Sequence, residues 1–230
     1  MKFSSQPVVS PPVNAKDFLD IEKVDDGHWR LRVVERLITP GQFLFGGCGL
    51  AAGLVALEED SGRPTIWATA HYLSYAPTHS TVDVYTDLAV VGGTVTQARA
   101  TAKIGETEIL TVNAALGRGS LSAPTPWQQM PDVPPPNDCP PRIIPRELGE
   151  SIFAHIDTRV ALGRTYDQLD GTPGSPHSAL WARIPSHLDP SAATLAIGAV
   201  AYEVTHEALE EQLDHRVAVE TRALVAEARE

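Results

Sequence analysis

Apolar and polar residues alternate along much of the first half of the chain, which is the period-2 pattern of strands with one buried face. Trp29, Leu31 and Val33 alternate with Arg30 and Arg32 and predict a first strand over 29–33. The first half is therefore predicted to be rich in β-structure.

Four more strands are predicted in close succession. They cover Thr65–Tyr75, Thr81–Val91, Thr94–Ile104 and Glu108–Leu116. Gly92-Gly93 and Gly105-Glu106 lie between the last three and are typical tight-turn sequences. These three strands are thus expected to form an antiparallel meander.

One helix is predicted before this meander, over Gly46–Ser61, ended by Gly62 and Pro64. It opens with Gly46, Gly47 and Gly49, although each interior Gly costs a helix roughly 0.5–1 kcal/mol relative to Ala. Glycine here would let another backbone or a ligand approach the N–H groups of the first turn. Those donors suit an oxygen that gains negative charge.

A helix rich in Ala and Gly can lie close enough to a long antiparallel sheet for the twisted sheet to curl around it. This is the hotdog fold, in the α+β class. The sequence predicts an N-terminal hotdog domain over residues 1–119.

Prolines separate this domain from the rest of the chain. Nine of the 19 prolines fall between Ser120 and Pro145, where they exclude a helix or a central strand. We expect a Pro-rich linker over residues 120–150 and a partial C-terminal hotdog-like domain over 151–230.

The region after the linker repeats the order of elements incompletely. Strands are predicted over Phe153–Val160 and Ser178–Ile184, and Asp189-Pro190 is predicted to cap a helix over Ser191–Leu213. Only His215–Glu230 follows, which leaves room for one strand where the first half has four. Either the chain is truncated or the second hotdog unit is degenerate.

Composition and charge exclude several functions. The formal net charge of −11 and pI near 5.1 give no support to a nucleic-acid-binding surface. Cys48 and Cys139 lie in no zinc or disulfide pattern, and no apolar stretch approaches 18 residues. We expect a cytoplasmic protein that binds neither membrane nor nucleic acid and holds no metal or other cofactor.

Several segments together resemble the acyl-CoA thioesterase II family of double-hotdog proteins, in an actinobacterial-type branch. These are Phe45-Gly46-Gly47, Arg63-Pro64, the strand Trp67–Leu73, and the runs Val95–Ala100 and Ile109–Gly117. The resemblance covers about residues 15–120 well and the rest more loosely. It implies a double hotdog whose second unit is here shortened.

The resemblance also implies catalytic residues in the second unit: an Asp near its helix, with a Thr or Ser and a Gln from later strands. Ala201 occupies the position expected for the Asp, so Glu203 is the nearest carboxylate, and Thr221 is the hydroxyl residue of a loosely similar strand start. An ordinary solvated helix position is the alternative for Glu203.

Other residues are assigned to an oxyanion or substrate-binding set. This set is Gly46, Gly47, Cys48, His71, Tyr72, Thr96 and Gln97. Each has a structural alternative: relief of crowding for the glycines, buried packing for Cys48 in place of nucleophilic attack, and a structural strand position for His71 in place of a general base. Thr96 and Gln97 either line the cleft or face solvent.

We expect a thioesterase-like protein of fatty acid metabolism that hydrolyses or binds acyl thioesters such as acyl-CoA. Water would attack a carbonyl polarised by the helix N–H groups, a donor arrangement worth on the order of 10²–10³ in rate in a well-studied hydrolase. The alternatives are a non-catalytic acyl-thioester-binding or assembly subunit and a hydratase or dehydratase on the same fold. The incomplete second unit further predicts a homodimer, joined by sheet edges or by helices.

Overall fold

A computed structural model describes residues 14–117, 132–143, 151–165, 168, 170–175, 177–183, 188–189 and 191–197. Six strands form one antiparallel sheet: β1 (Glu22–Asp25), β2 (His28–Arg32), β3 (Thr65–Tyr72), β4 (Thr81–Val91), β5 (Val95–Ile104) and β6 (Thr107–Gly117). Their order across the sheet is β1-β2-β4-β5-β6-β3, so β3 lies at one edge. The strands of the predicted meander therefore pair as expected.

The first half contains two described α-helices, of which the main one packs on this sheet. The short α1 covers Ala15–Leu19 and the main helix α2 covers Gly46–Ser61, the bounds predicted from the sequence. Alternate residues of β4, β5 and β6 face α2; examples are Val84, Ala100 and Val112, all at most 1% exposed. The α+β class is confirmed.

Glycine allows α2 to lie close to the sheet. A Cβ at Gly53 would stand 2.8 Å from Cγ2 of Val112, and one at Gly49 would stand 3.3 Å from Cδ2 of Leu110. Any larger residue at position 53 would push the helix away from β6. The small side chains of Ala51, Ala52 and Ala56 are buried at 1% exposure or less.

The region after residue 150 adds to the same core. Ile152, Ile156, Ala193, Ala196 and Ile197 are buried in one hydrophobic cluster with the residues of α2 and the sheet. The Ile152 amide also donates to the Ile38 carbonyl, at 2.9 Å. The boundaries of the two predicted domains stay a prediction, but part of the second region packs on the first.

Two predictions for the region after residue 150 differ from the structure. Residues Ile152–Ala154 form a single 3₁₀ turn, and the strand begins only at β7 (Asp157–Leu162), because Ile152 and Phe153 turn inward against the first half. β7 pairs with β8 (Ala179–Arg183). The predicted strand over Phe153–Val160 was therefore placed too early.

The helix cap was also placed wrongly. Residues 192–197 are helical, and the Ser191 Oγ accepts a hydrogen bond from the Thr194 amide at 3.1 Å. This is the N-cap geometry, so the cap is Ser191 rather than Asp189. The rest of the predicted helix, to Leu213, lies outside the described residues.

The described part of the proline-rich segment runs beside the second sheet. Amides of Arg142 and Val160 donate to Thr158 and Pro140 carbonyls, at 2.8 and 2.9 Å. The Trp181 indole donates to the Pro134 carbonyl at 2.8 Å. Residues 132–143 hence lie against β7 and β8.

Candidate active site at the start of the main helix

The start of α2 is held by the chain on both sides of it. The Phe45 amide donates to the Leu37 carbonyl, and the Leu44 amide donates to the Ala76 carbonyl, each at 2.8 Å. Residues 37–45 and the segment after β3 thus fix the direction in which the helix begins.

The first-turn amides divide into two kinds. Those of Cys48 and Gly49 both donate to the Phe45 carbonyl, at 2.9 and 3.1 Å. The N-cap residue is Phe45, whose side chain accepts no hydrogen bond. The amides of Gly46 and Gly47 donate to no acceptor within the described part of the chain. They lie at the positive end of the helix dipole.

Tyr72, the last residue of β3, contacts this first turn of the helix. Its hydroxyl donates to the Gly46 carbonyl at 3.0 Å, and half of the residue's surface is exposed. A hydrogen bond to the Gly46 carbonyl orients the 46–47 peptide and polarises its N–H. Of the predicted substrate-binding residues, Tyr72 is the side chain that the structure places against the helix start.

Gly47 is covered by backbone from the second region. A Cβ at this position would stand 2.6 Å from the Ala196 carbonyl oxygen and 3.1 Å from that of Ile197. The close approach of another backbone, one of the two predicted reasons for the glycines, is therefore observed at Gly47. Gly47 is buried and Gly46 is partly exposed, so Gly46 carries the more accessible of the two amides.

Cys48 is a packing residue in this structure. Its side chain is fully buried, and burial raises the pKa of its thiol, so the reactive thiolate is disfavoured. Its amide is already bonded to the Phe45 carbonyl. Neither group of Cys48 is placed to meet a substrate.

His71 and Gln97 face away from α2. Ala70 and Ala98 face the helix, and the neighbouring residues of each strand point to the opposite, outer side of the sheet. Both His71 and Gln97 are exposed. The structure does not bring either side chain to the start of the helix.

Thr96 lies at the other end of α2. It is 1% exposed, and its hydroxyl accepts a hydrogen bond at 3.0 Å from Arg63, just past the last helical residue. The two ends of this 16-residue helix are separated by roughly 24 Å at 1.5 Å per residue. Thr96 is therefore far from Gly46. Glu203 and Thr221 lie outside the described residues.

An exposed apolar patch beside the helix start was not predicted. Phe43, Tyr72, Leu73 and Tyr75 are 37%, 50%, 56% and 67% exposed, and the Phe43 and Tyr75 rings meet edge to face at 6.3 Å. They come from the segment before α2, from the end of β3 and from the residues that follow β3. Alternation over Thr65–Tyr75 suggested a longer strand, which hid the turn that brings Tyr75 to Phe43.

A cavity of about 460 Å³ lies at the far end of α2, lined by residues that include Lys16, Glu59, Arg63 and Asp189. Within the part of the chain that the structure describes, no group of three or more His, Cys, Asp or Glu side chains could hold a metal ion. Over the same residues, no helix is long and apolar enough to cross a membrane.

Comparison with solved structures confirms the hotdog architecture. A thioesterase candidate from Novosphingobium aromaticivorans is 25% identical, with a TM-score of 0.67 over 84% of this chain and 75% of that one. A hotdog-fold protein from Alicyclobacillus acidocaldarius is 20% identical (TM-score 0.63, covering 80% of this chain and 67% of that one).

An acyl-CoA thioesterase II of Mycobacterium marinum is also similar, with 20% identity and a TM-score of 0.61 over 86% of this chain and 74% of that one. No family model and no curated protein sequence matches the chain. The structure thus resembles thioesterase II proteins, as the sequence motifs indicated.

Proposed function

We propose that this protein binds acyl thioesters, with acyl-CoA as the principal ligand, at the start of α2 and hydrolyses them. One observation carries the proposal: the amides of Gly46 and Gly47 lack a protein acceptor among the described residues, at the positive end of the helix dipole. Thioesterases among the similar structures support it.

In this proposal the thioester carbonyl oxygen accepts from the Gly46 amide, while Tyr72 holds the peptide that follows. The oxygen atom of a water molecule attacks the carbonyl carbon, and the charge that develops on the carbonyl oxygen is stabilised by the helix N–H groups. Collapse of the tetrahedral intermediate breaks the C–S bond and releases the carboxylic acid and the thiol.

Glu203 is the proposed base that takes the proton of the water, and Thr221 is the proposed hydroxyl partner. General bases of this kind contribute roughly 10²–10⁴ in rate. We place the reaction in fatty acid metabolism and in a reducing cytoplasm, an assignment supported by the free, buried thiols of Cys48 and Cys139. Self-association as a homodimer belongs to the same proposal.

A second function has a specific observation in its favour. Ala201 stands where the resemblance implies a catalytic Asp, and an Ala cannot move a proton. A protein that keeps the helix N–H groups but lacks the base would bind acyl thioesters without turnover and act as a binding or assembly subunit.

The two functions are separated by incubating the purified protein with acyl-CoAs of several chain lengths and trapping the released thiol. Turnover above the buffer rate, lost in Glu203→Gln, supports the hydrolase. Calorimetric binding of acyl-CoA without thiol release supports the binding subunit. Neither binding nor turnover at any chain length would contradict both.

A further inference from the structure

The exposed apolar patch of Phe43, Tyr72, Leu73 and Tyr75 is continuous with the helix start. Tyr72 belongs to both, because its half-exposed ring is part of the patch and its hydroxyl donates to the Gly46 carbonyl at 3.0 Å. Phe43 precedes Gly46 by three residues, so their Cα atoms are at most about 11 Å apart. A chain attached to a carbonyl group at Gly46 therefore has the patch within reach.

The aromatic rings of the patch are held in place by the protein itself. The Phe43 ring meets the Tyr75 ring edge to face, with their centroids 6.3 Å apart. It also lies against Gly41, where an added Cβ would stand 2.5 Å from the Phe43 Cε1. Phe43 and Pro77 form an antiparallel bridge between the two segments that carry the rings. An apolar surface that is already formed loses little conformational freedom when a ligand binds.

The two segments that carry the patch and the helix start contain no Asp, Glu, Lys or Arg. The first segment extends from Arg36 to Glu58 and the second from Arg63 to Asp83, with these charged residues only as their ends. A carboxylate or phosphate on the patch would therefore find no Lys or Arg in either segment. Removing such a charge from water without a partner costs free energy, whereas an uncharged hydrocarbon chain gains from burial against the rings.

We propose that the patch binds the acyl chain of the thioester and selects uncharged acyl chains of medium to long length. The inference rests on the proposed function, because the Gly46 amide anchors the carbonyl from which the chain extends. Acyl groups that end in a second carboxylate are rejected, and the phosphate-bearing part of CoA lies away from the patch. Each methylene that reaches the patch should lower the dissociation constant by up to about fourfold.

The test measures binding by calorimetry with ketone analogues of acyl-CoA. In these analogues a methylene separates the carbonyl group from the sulfur, so the protein cannot hydrolyse them. Analogues of acetyl-, hexanoyl- and decanoyl-CoA vary the chain length, and the adipoyl analogue adds a carboxylate to the hexanoyl chain. The decanoyl analogue should bind at least about tenfold more tightly than the acetyl analogue. The adipoyl analogue should bind at least about tenfold more weakly than the hexanoyl analogue.

Substitutions at Tyr75 assign the chain-length effect to the patch. Tyr75→Ser removes the most exposed ring and should reduce the ratio of the acetyl to the decanoyl dissociation constant at least about fivefold. Tyr75→Phe keeps an apolar ring and should retain the wild-type ratio. Tyr85→Ser is the matched control, because Tyr85 is also exposed but lies on β4 beside Val84, which faces α2, and so points away from the helix. Circular dichroism should show that all variants are folded.

The outcomes separate this inference from the proposed function. Equal dissociation constants for the acetyl and decanoyl analogues, equal binding of the adipoyl and hexanoyl analogues, or an unchanged ratio in Tyr75→Ser would each overturn the inference. Binding of the acetyl analogue that is weakened in Gly46→Pro, which lacks the amide proton, would still support the proposed function. A chain-length effect lost in Tyr75→Ser with no effect of Gly46→Pro would support the patch and contradict the anchor at Gly46. No binding of any analogue would overturn both.

Discussion

The two ends of α2 differ in whether their polar groups are hydrogen-bonded. At the C-terminal end, the Asp60 carboxylate accepts from Lys23 at 2.9 Å, Trp29 at 3.0 Å and Thr86 at 2.5 Å. Arg63, just beyond, donates to the Gly92 carbonyl at 2.8 Å and to Thr96. At the N-terminal end, two amides have no acceptor among the described residues and no side chain caps the helix.

This difference distinguishes a structural end from the end where we propose that the thioester binds. Native proteins pair nearly all buried polar groups, because an unpaired one costs free energy. Paired groups at Asp60 and Arg63 fasten the helix to β2, β4 and β5. Gly46 and Gly47 amides have no acceptor among the described residues, and in the proposed function they donate to the thioester oxygen.

Removing the carboxylate at the structural end should have the largest effect on stability. Asp60→Ala leaves the indole N–H of the buried Trp29 without its acceptor and removes the Lys23–Asp60 ion pair. We expect a loss of about 2–4 kcal/mol in the free energy of unfolding, measured by urea denaturation. Asp26→Asn is the control, because Asp26 also contacts Lys23 but is fully exposed; an equal loss in both variants would contradict the assignment.

The same carboxylate should make stability depend on pH. Burial raises the pKa of Asp60, but hydrogen bonds from Thr86, Lys23 and Trp29 outweigh burial and hold it below its ordinary value. A lowered folded-state pKa contributes stability above the unfolded value of about 3.9. That contribution should disappear as pH falls through the lower folded value. The stability difference between wild type and Asp60→Ala should thus shrink below about pH 4 in urea titrations.

At the N-terminal end of α2, Gly47→Val should weaken the packing of residues 191–197 on the helix start. A Cβ at Gly47 would stand 2.6 Å from the Ala196 backbone oxygen, which cannot rotate away as a side chain could. We expect a loss of about 1–3 kcal/mol and faster hydrogen exchange over residues 191–197. Unchanged exchange there would show that residues 196–197 are not held by Gly47.

Gly62→Ala provides a smaller effect of a different origin. Gly62 has a φ of +64°, in the left-handed region, and nothing lies within 4 Å of its missing Cβ. The expected cost is therefore conformational, about 1 kcal/mol in urea denaturation. A loss as large as that of Gly47→Val would mean that contact and conformation are not separable at the two glycines.

Cys48→Ala should change turnover least of all. The thiol is buried with a raised pKa, so its removal should leave the rate within about twofold, as measured by thiol release. A covalent acyl adduct on the wild-type protein, found by mass spectrometry, would instead identify Cys48 as a nucleophile.

Local patterns predicted the elements that obey a clear periodicity. α2 and β4 have the predicted bounds, since glycine and alternation mark them strongly. β1 was missed because all four of its residues are exposed, which leaves no alternation to detect. The five-residue α1 is too short for helical periodicity to be visible.

The site was less predictable because it depends on contacts between distant residues. Alternation put His71 and Tyr72 on opposite faces but did not say which face meets α2, since the exposed Trp67 looks like a core residue in sequence. The glycine at position 47 correctly predicted that another backbone approaches the helix start. That the approaching backbone is Ala196–Ile197, some 150 residues away, could be known only from the fold.

The most direct test of the central claim removes the Gly46 N–H and compares that variant with one that keeps it. Gly46→Pro deletes the Gly46 amide proton at the first helical position, where proline is well tolerated. Phe45 has a ψ of 130°, the conformation that a residue before proline prefers. Gly46→Ala is the matched control, because it adds a side chain but keeps the N–H.

Both variants should be compared in acyl-CoA hydrolysis by thiol release and in acyl-CoA binding by calorimetry. If the Gly46 amide holds the thioester oxygen, Gly46→Pro should lose on the order of 10²-fold in rate relative to Gly46→Ala, or a corresponding part of its affinity if the protein only binds. Equal rates and equal affinities in the two folded variants would contradict the account.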